Sequence, residues 1–173
     1  MSKGRAWIRF ALLALTILGG LQGIVICLQG LFSPDSQGFG TSVLISAFLM
    51  AYIFVAAAGA VFWRRPNQTK PLKWALAIQI PWISLPGLVY KFSAGLYLSG
   101  ALIARHQADK YSAGFHWAFQ LGSSFELRLL QDTQIEVGVN VAALAALLLL
   151  TRVISPTSAA LSQALPNDEL LVR

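Results

Sequence analysis

YKFSAGLYLSGALIARHQADKYSAGFHWAFQLGSSFELRLLQ, residues 90–131, is the stretch that decides the fold. From Tyr90 to Leu102 the even positions are Tyr90, Phe92, Ala94, Leu96, Leu98, Gly100 and Leu102. Lys91, Ser93, Gly95, Tyr97, Ser99 and Ala101 lie between them. Apolar against small or polar residues with period two marks a half-buried strand. The pattern returns at Phe115, Trp117, Phe119 and Leu121, alternating with His116, Ala118 and Gln120. After Gly122-Ser123-Ser124 it continues as Phe125, Leu127 and Leu129, alternating with Glu126 and Arg128. Two alternating runs joined by three small residues, one of them glycine, read as a hairpin. A single strand through 90–104 would be unusually long, and Ser93-Ala94-Gly95 offers a turn. The pattern therefore predicts a meander of about four antiparallel strands, 88–92, 96–105, 115–121 and 125–131, with a polar loop at 106–112.

The rest of the chain has a different texture. Of 173 residues, 56% are hydrophobic and only 12% charged, against about 25% charged in a soluble domain. Residues 10–34 and 36–63 carry no charge, and each run exceeds the roughly 20 residues needed to cross a bilayer. The expected fold is a membrane α+β protein, one integral membrane domain over 1–173, with four transmembrane helices at about 10–32, 42–63, 70–85 and 135–154. The small extracytoplasmic sheet occupies 86–132, between the third and fourth helices, and 155–173 is a cytoplasmic tail. Pro81 would kink the third helix and Pro86 would end it.

The net charge of +6 is not a nucleic-acid footprint. Lys3, Arg5, Arg9, Arg64, Arg65, Lys70 and Lys73 sit at helix flanks, whereas the first link, 33–41, holds no base. By the positive-inside rule both termini face the cytoplasm and the sheet faces out. The expected setting is a multi-pass cell-membrane protein, with a bacterial inner membrane fitting the Ala/Leu-rich helices.

Within the helices, Gly19 and Gly23 form a small-residue pair that lets another helix approach. Gln22, Gln29, Gln79 and Asn140 are the intramembrane polar residues, read as hydrogen-bonding between helices. Lys91 and Glu136 stand at the outer boundary, where they pair or reach headgroups. Cys27, the only cysteine, excludes an intramolecular disulfide and a two-cysteine redox centre.

No motif for a reaction is legible. There is no phosphate-cradling loop, and His106 and His116 lack the further ligands a metal site needs. The reading is a non-enzymatic membrane protein with no cofactor, a subunit or accessory whose sheet docks a partner or the membrane surface. Its partners would be the lipid bilayer and another membrane or extracytoplasmic protein, or a second copy; the alternative is a pore or carrier formed by oligomerisation. The face expected to pack or dock is Phe115, Trp117, Phe119, Leu121, Phe125, Leu127 and Leu129.

Overall fold

The computed structural model describes residues 3–33, 38–85, 88–107, 110–129 and 134–154. Two long helices, α1 (Lys3–Leu31) and α2 (Phe39–Arg64), pack side by side. Ala6–Leu31 and Phe39–Arg64 are each long and apolar enough to cross a membrane. Small residues set the helix contact: a methyl on Gly20 would lie 2.8 Å from the backbone nitrogen of Ala56, and one on Gly23 would collide with the Tyr52 ring.

A short helix follows, α3 (Lys70–Ala77). The helix expected over 70–85 thus ends at Ala77, and Pro81 begins a strand instead of kinking a helix. The reason is local. A proline ring clashes with the carbonyl four residues earlier, here that of Ala77, and pushes the preceding residue, Ile80, toward extended geometry. Missing its own N–H, proline is accommodated at the first position of a strand.

Six strands then form one antiparallel sheet: β1 (Pro81–Leu85), β2 (Leu88–Ser93), β3 (Leu96–Gln107), β4 (Lys110–Leu121), β5 (Ser124–Leu129) and β6 (Gln134–Asn140). Their order is β4-β3-β6-β1-β2-β5. Last come α4 (Val141–Leu149) and a π-helical turn, Leu150–Ile154. The expected helix over 135–154 is strand in its first part. Ile135, Val137 and Val139 alternate with Glu136, Gly138 and Asn140, and this period-two run pairs with both β1 and β3. The cytoplasmic-tail expectation for 155–173 lies outside the described residues.

The strand pairing corrects the meander. β4 and β5 do not form a hairpin; β4 pairs with β3, β5 pairs with β2, and the two stand at opposite edges of the sheet. Nor do β2 and β3 pair. Instead the register runs unbroken from Leu88↔Leu129 through Ser93↔Ser124 and Leu96↔Leu121 to Gln107↔Lys110. This is one long hairpin, folded back on itself where Ala94-Gly95 lies opposite Gly122-Ser123. The two-glycine fold has a steric basis: Gly95 (φ 91°) and Gly122 (φ 116°) both adopt left-handed backbone. A backbone hydrogen bond from Gly122 N to Gly95 O, 2.7 Å, ties the two sides together. β1 and β6 fill the space between the two arms of the folded ribbon.

The core divides along the long helices. Leu12, Phe62, Leu72, Leu76 and Leu150 join α1, α2, α3 and the last helical turn. Cys27, Ile45, Phe48, Tyr52, Phe92 and Ala94 join the other part of α1 and α2 to the sheet. So α3 and α4 accompany the long helices over one half of their length, and the sheet accompanies them over the other.

Candidate functional site: a folded ribbon with two unlike faces

The fold of the ribbon is seated on the middle of α1. A methyl on Gly19 would lie 2.7 Å from Gly95 Cα, so Gly19 serves the sheet, while Gly20 and Gly23 serve the contact with α2. Ser123 Oγ donates to the Gly19 carbonyl, and Ser123 N donates to Gln22 Oε1 at 3.2 Å. Gln79 caps the other side: its Nε2 donates to the Ala75 carbonyl (2.7 Å), and its Oε1 accepts from Ala94 N (2.8 Å). Asn140 ends β6 and starts α4, its Oδ1 accepting from Ala143 N (3.3 Å) and Leu98 N (3.4 Å). Three of the four residues expected to bond between helices therefore satisfy backbone at helix–sheet junctions. Gln29, the fourth, is exposed on α1. Buried backbone groups need such partners wherever regular pairing stops.

Directly opposed residues of an antiparallel pair share a face. One row across all six strands reads Phe115, Leu102, Val137, Ile83, Tyr90 and Leu127, apolar throughout. Near the fold this outer face is covered: Phe92 stacks on Phe48 (5.8 Å between centroids), Phe125 stacks on Phe48 (4.7 Å), and Tyr52 donates its hydroxyl to the Ser93 carbonyl at 3.0 Å. Further round it is bare. Leu102, Phe115, Trp117, Phe119, Leu121 and Val137 are all exposed, Phe119 by 71% and Trp117 by 61%. Of the seven residues expected on one packing face, Phe125 is packed against α2, while Phe115, Trp117, Phe119 and Leu121 form an exposed row on edge strand β4. The side chains of Leu127 and Leu129 lie outside the described residues.

The inner face carries the polar chemistry. His116, Ala101 and Gly138 continue the row to Trp82, with Lys91 and Glu126 beyond it. The sheet curls around this face. Three strand steps would separate β2 from β3 by roughly 14 Å in a flat sheet, yet Lys91 Nζ sits 4.7 Å from the Tyr97 ring centre and 5.3 Å from that of Trp82. Trp82 lies over Gly138 and meets Tyr97 (6.1 Å) and His116 (6.2 Å) edge to face. A cation held over two aromatic faces in a partly desolvated site is worth about 1 kcal/mol or more. Tyr97 Oη, Ser99 Oγ and Asn140 Nδ2 are buried on this side without a hydrogen-bond partner among the described residues.

One result is expected of Tyr97. An unsatisfied buried hydroxyl costs about 1–3 kcal/mol, so Tyr97→Phe should leave stability unchanged or raise it by about 1 kcal/mol; a loss larger than that, in thermal unfolding, would assign the hydroxyl a ligand or bound water.

Sequence reasoning placed Lys91 at a boundary and passed over Trp82, Tyr97 and Ser99. The only signal was the minority side of the alternation, because what joins them is the curl of the sheet. Among the described residues no three His, Cys, Asp or Glu side chains converge to hold a metal. Comparison with protein-family models, curated proteins and solved structures finds no match for this chain.

Proposed function

We propose that the protein is a non-enzymatic integral membrane subunit in which α1 and α2 cross the bilayer and the sheet begins at mid-bilayer depth. The observation that carries this reading is the seat of the ribbon fold at Gly19, near the middle of Ala6–Leu31, beside a bare apolar outer face. α3 and α4 then enter from the cytoplasmic side and stop at the midplane, where Gln79 and Asn140 satisfy the chain ends. Non-helical backbone at that depth is tolerated where it is buried in protein. Eight residues of α3 plus the turn to Pro81 rise about 15 Å, half of a roughly 30 Å hydrocarbon core. The charge pattern keeps both termini cytoplasmic.

From Leu121 to Phe115 the exposed row spans about 20 Å along β4, which matches one leaflet for a tilted strand. β3 and β4 have 12 residues each, about 40 Å, so their outer ends emerge from the membrane. An open sheet edge is not stable in hydrocarbon. The β4 edge therefore supports a subunit role, with a strand of a neighbouring protein along it. A pore lined by the glutamines is less well supported, because Gln22 and Gln79 are occupied by backbone groups.

Spin labels test the placement. In vesicles, a nitroxide at Phe119→Cys should collide with oxygen far more than with a water-soluble relaxation agent, and one at Ser112→Cys, on the outer half of β4, should show the reverse. Equal access of the water-soluble agent to both would put the sheet outside the bilayer, as the sequence pattern first suggests.

A further inference from the structure

α1 carries a groove that continues past its own helix neighbours. Its first part is a cavity of about 480 Å³ bounded by Ala6, Arg9, Leu13, Ile17 and Leu18, with Trp63 of α2. Its second part, about 370 Å³, shares Ala14 and Leu18 with the first and runs on to Gly19, Gln22 and Leu121. Small side chains at Ala6 and Ala14 make the trough, and the ribbon fold at Gly95 and Gly122 closes its far end. Among the described residues one cation stands at the near end: Arg9, with one guanidinium nitrogen donating to the Trp63 carbonyl (3.0 Å) and its carbon 5.7 Å from the Phe62 ring centre. The guanidinium presents its donors in a fixed fork that suits phosphate oxygens. Arg64 and Arg65 follow Trp63, and no Asp or Glu occurs in residues 1–34 or 36–108.

We infer that this groove holds one anionic phospholipid of the cytoplasmic leaflet, its phosphate on Arg9 and an acyl chain along α1. The inference rests on the membrane placement proposed above. Arg9 to Gly19 is ten residues, a rise of about 15 Å, which is the half-thickness of the hydrocarbon core. The groove is therefore one leaflet deep, and the sheet forms its floor. An apolar trough of that depth, with a cation at the interface end and no acid among the described residues that line it, selects by charge as well as by shape.

The test uses the full chain, purified from native membranes in a mild neutral detergent, with bound lipid read by native mass spectrometry. One phospholipid per chain should remain, and in exchange against equimolar phosphatidylglycerol and phosphatidylcholine the anionic lipid should be retained at least five-fold over the zwitterionic one. Arg9→Gln should remove the preference while leaving some lipid bound, and Ala14→Phe, which fills the trough, should remove both. Detergent only in the wild-type groove, or equal retention of the two headgroups, would overturn the inference whatever the variants do. Alkaline carbonate extraction separates the two failures: a chain released from membranes sinks the placement, whereas a chain that stays in membranes but keeps no lipid sinks only the groove.

Discussion

Gly19→Ala is expected to unfold the junction between helix and sheet. The added methyl would meet the Ala94 carbonyl carbon at 2.5 Å and Gly95 Cα at 2.7 Å, and these are backbone atoms that no rotamer change can move. Gly95→Ala strikes the same contact from the other side, 2.5 Å from the Leu15 carbonyl oxygen, and adds the strain of a left-handed φ of 91°. Overpacking a core costs about 1–3 kcal/mol when side chains can yield. Here the cost should reach about 3 kcal/mol or more for either variant, a large share of the 5–15 kcal/mol typical of a folded domain. Gly38→Ala is the control, since a methyl there meets nothing within 4 Å. Denaturant titration in detergent micelles measures all three. Wild-type stability in Gly19→Ala would mean that the ribbon fold does not rest on α1.

The second large effect separates two phenylalanines that share one face of the sheet. Phe92 is 1% exposed, stacked on Phe48 and tilted against Tyr52 at 4.7 Å. Phe119 is 71% exposed. Phe92→Ala should cost about 3–5 kcal/mol, the range for emptying a buried aromatic site. Phe119→Ala should stay within about 0.5 kcal/mol in detergent, as surface changes do. Alternation alone assigns these residues the same environment. A Phe119→Ala loss as large as that of Phe92→Ala would show that a partner covers β4 in the purified sample.

The parts of this structure legible in the sequence are those set by short-range pattern. Long uncharged runs marked α1 and α2, because a helix of that length needs only its own backbone bonds and an apolar surface. Period-two alternation marked β2, β3 and β5 to within about two residues, but β4 only from Phe115 on; the polar loop expected over 106–112 is strand as far as Gln107 and again from Lys110. Pro81 reads as a kink in a longer helix, whereas its clash with the carbonyl of Ala77 leaves α3 ending at Ala77. Gln-Ile-Glu-Val-Gly-Val-Asn, residues 134–140, alternates too, but its run into Val141-Ala142-Ala143 reads equally as helix, and short apolar runs do not arbitrate.

By itself, then, the sequence determined an α+β chain with two long apolar helices, strands between Leu88 and Leu129, and a break in that alternation at each of two glycine-containing links. It also determined which side of each strand is apolar, because successive side chains must point opposite ways. Only the tertiary structure decided what the breaks are. Gly122-Ser123 is a hairpin turn by local chemistry, yet β4 pairs with β3 as far as Gln107↔Lys110, and β1 and β6 separate the folded arms of that ribbon. Strand pairing is a competition among distant partners. It is settled by where Gly19, Gln22 and Gln79 can receive the backbone of the fold, and that depends on α1 and α3 lying against it. The inner cluster of Trp82, Tyr97 and Lys91 follows from the same curl, which brings together residues on strands that a flat sheet would hold roughly 14 Å apart.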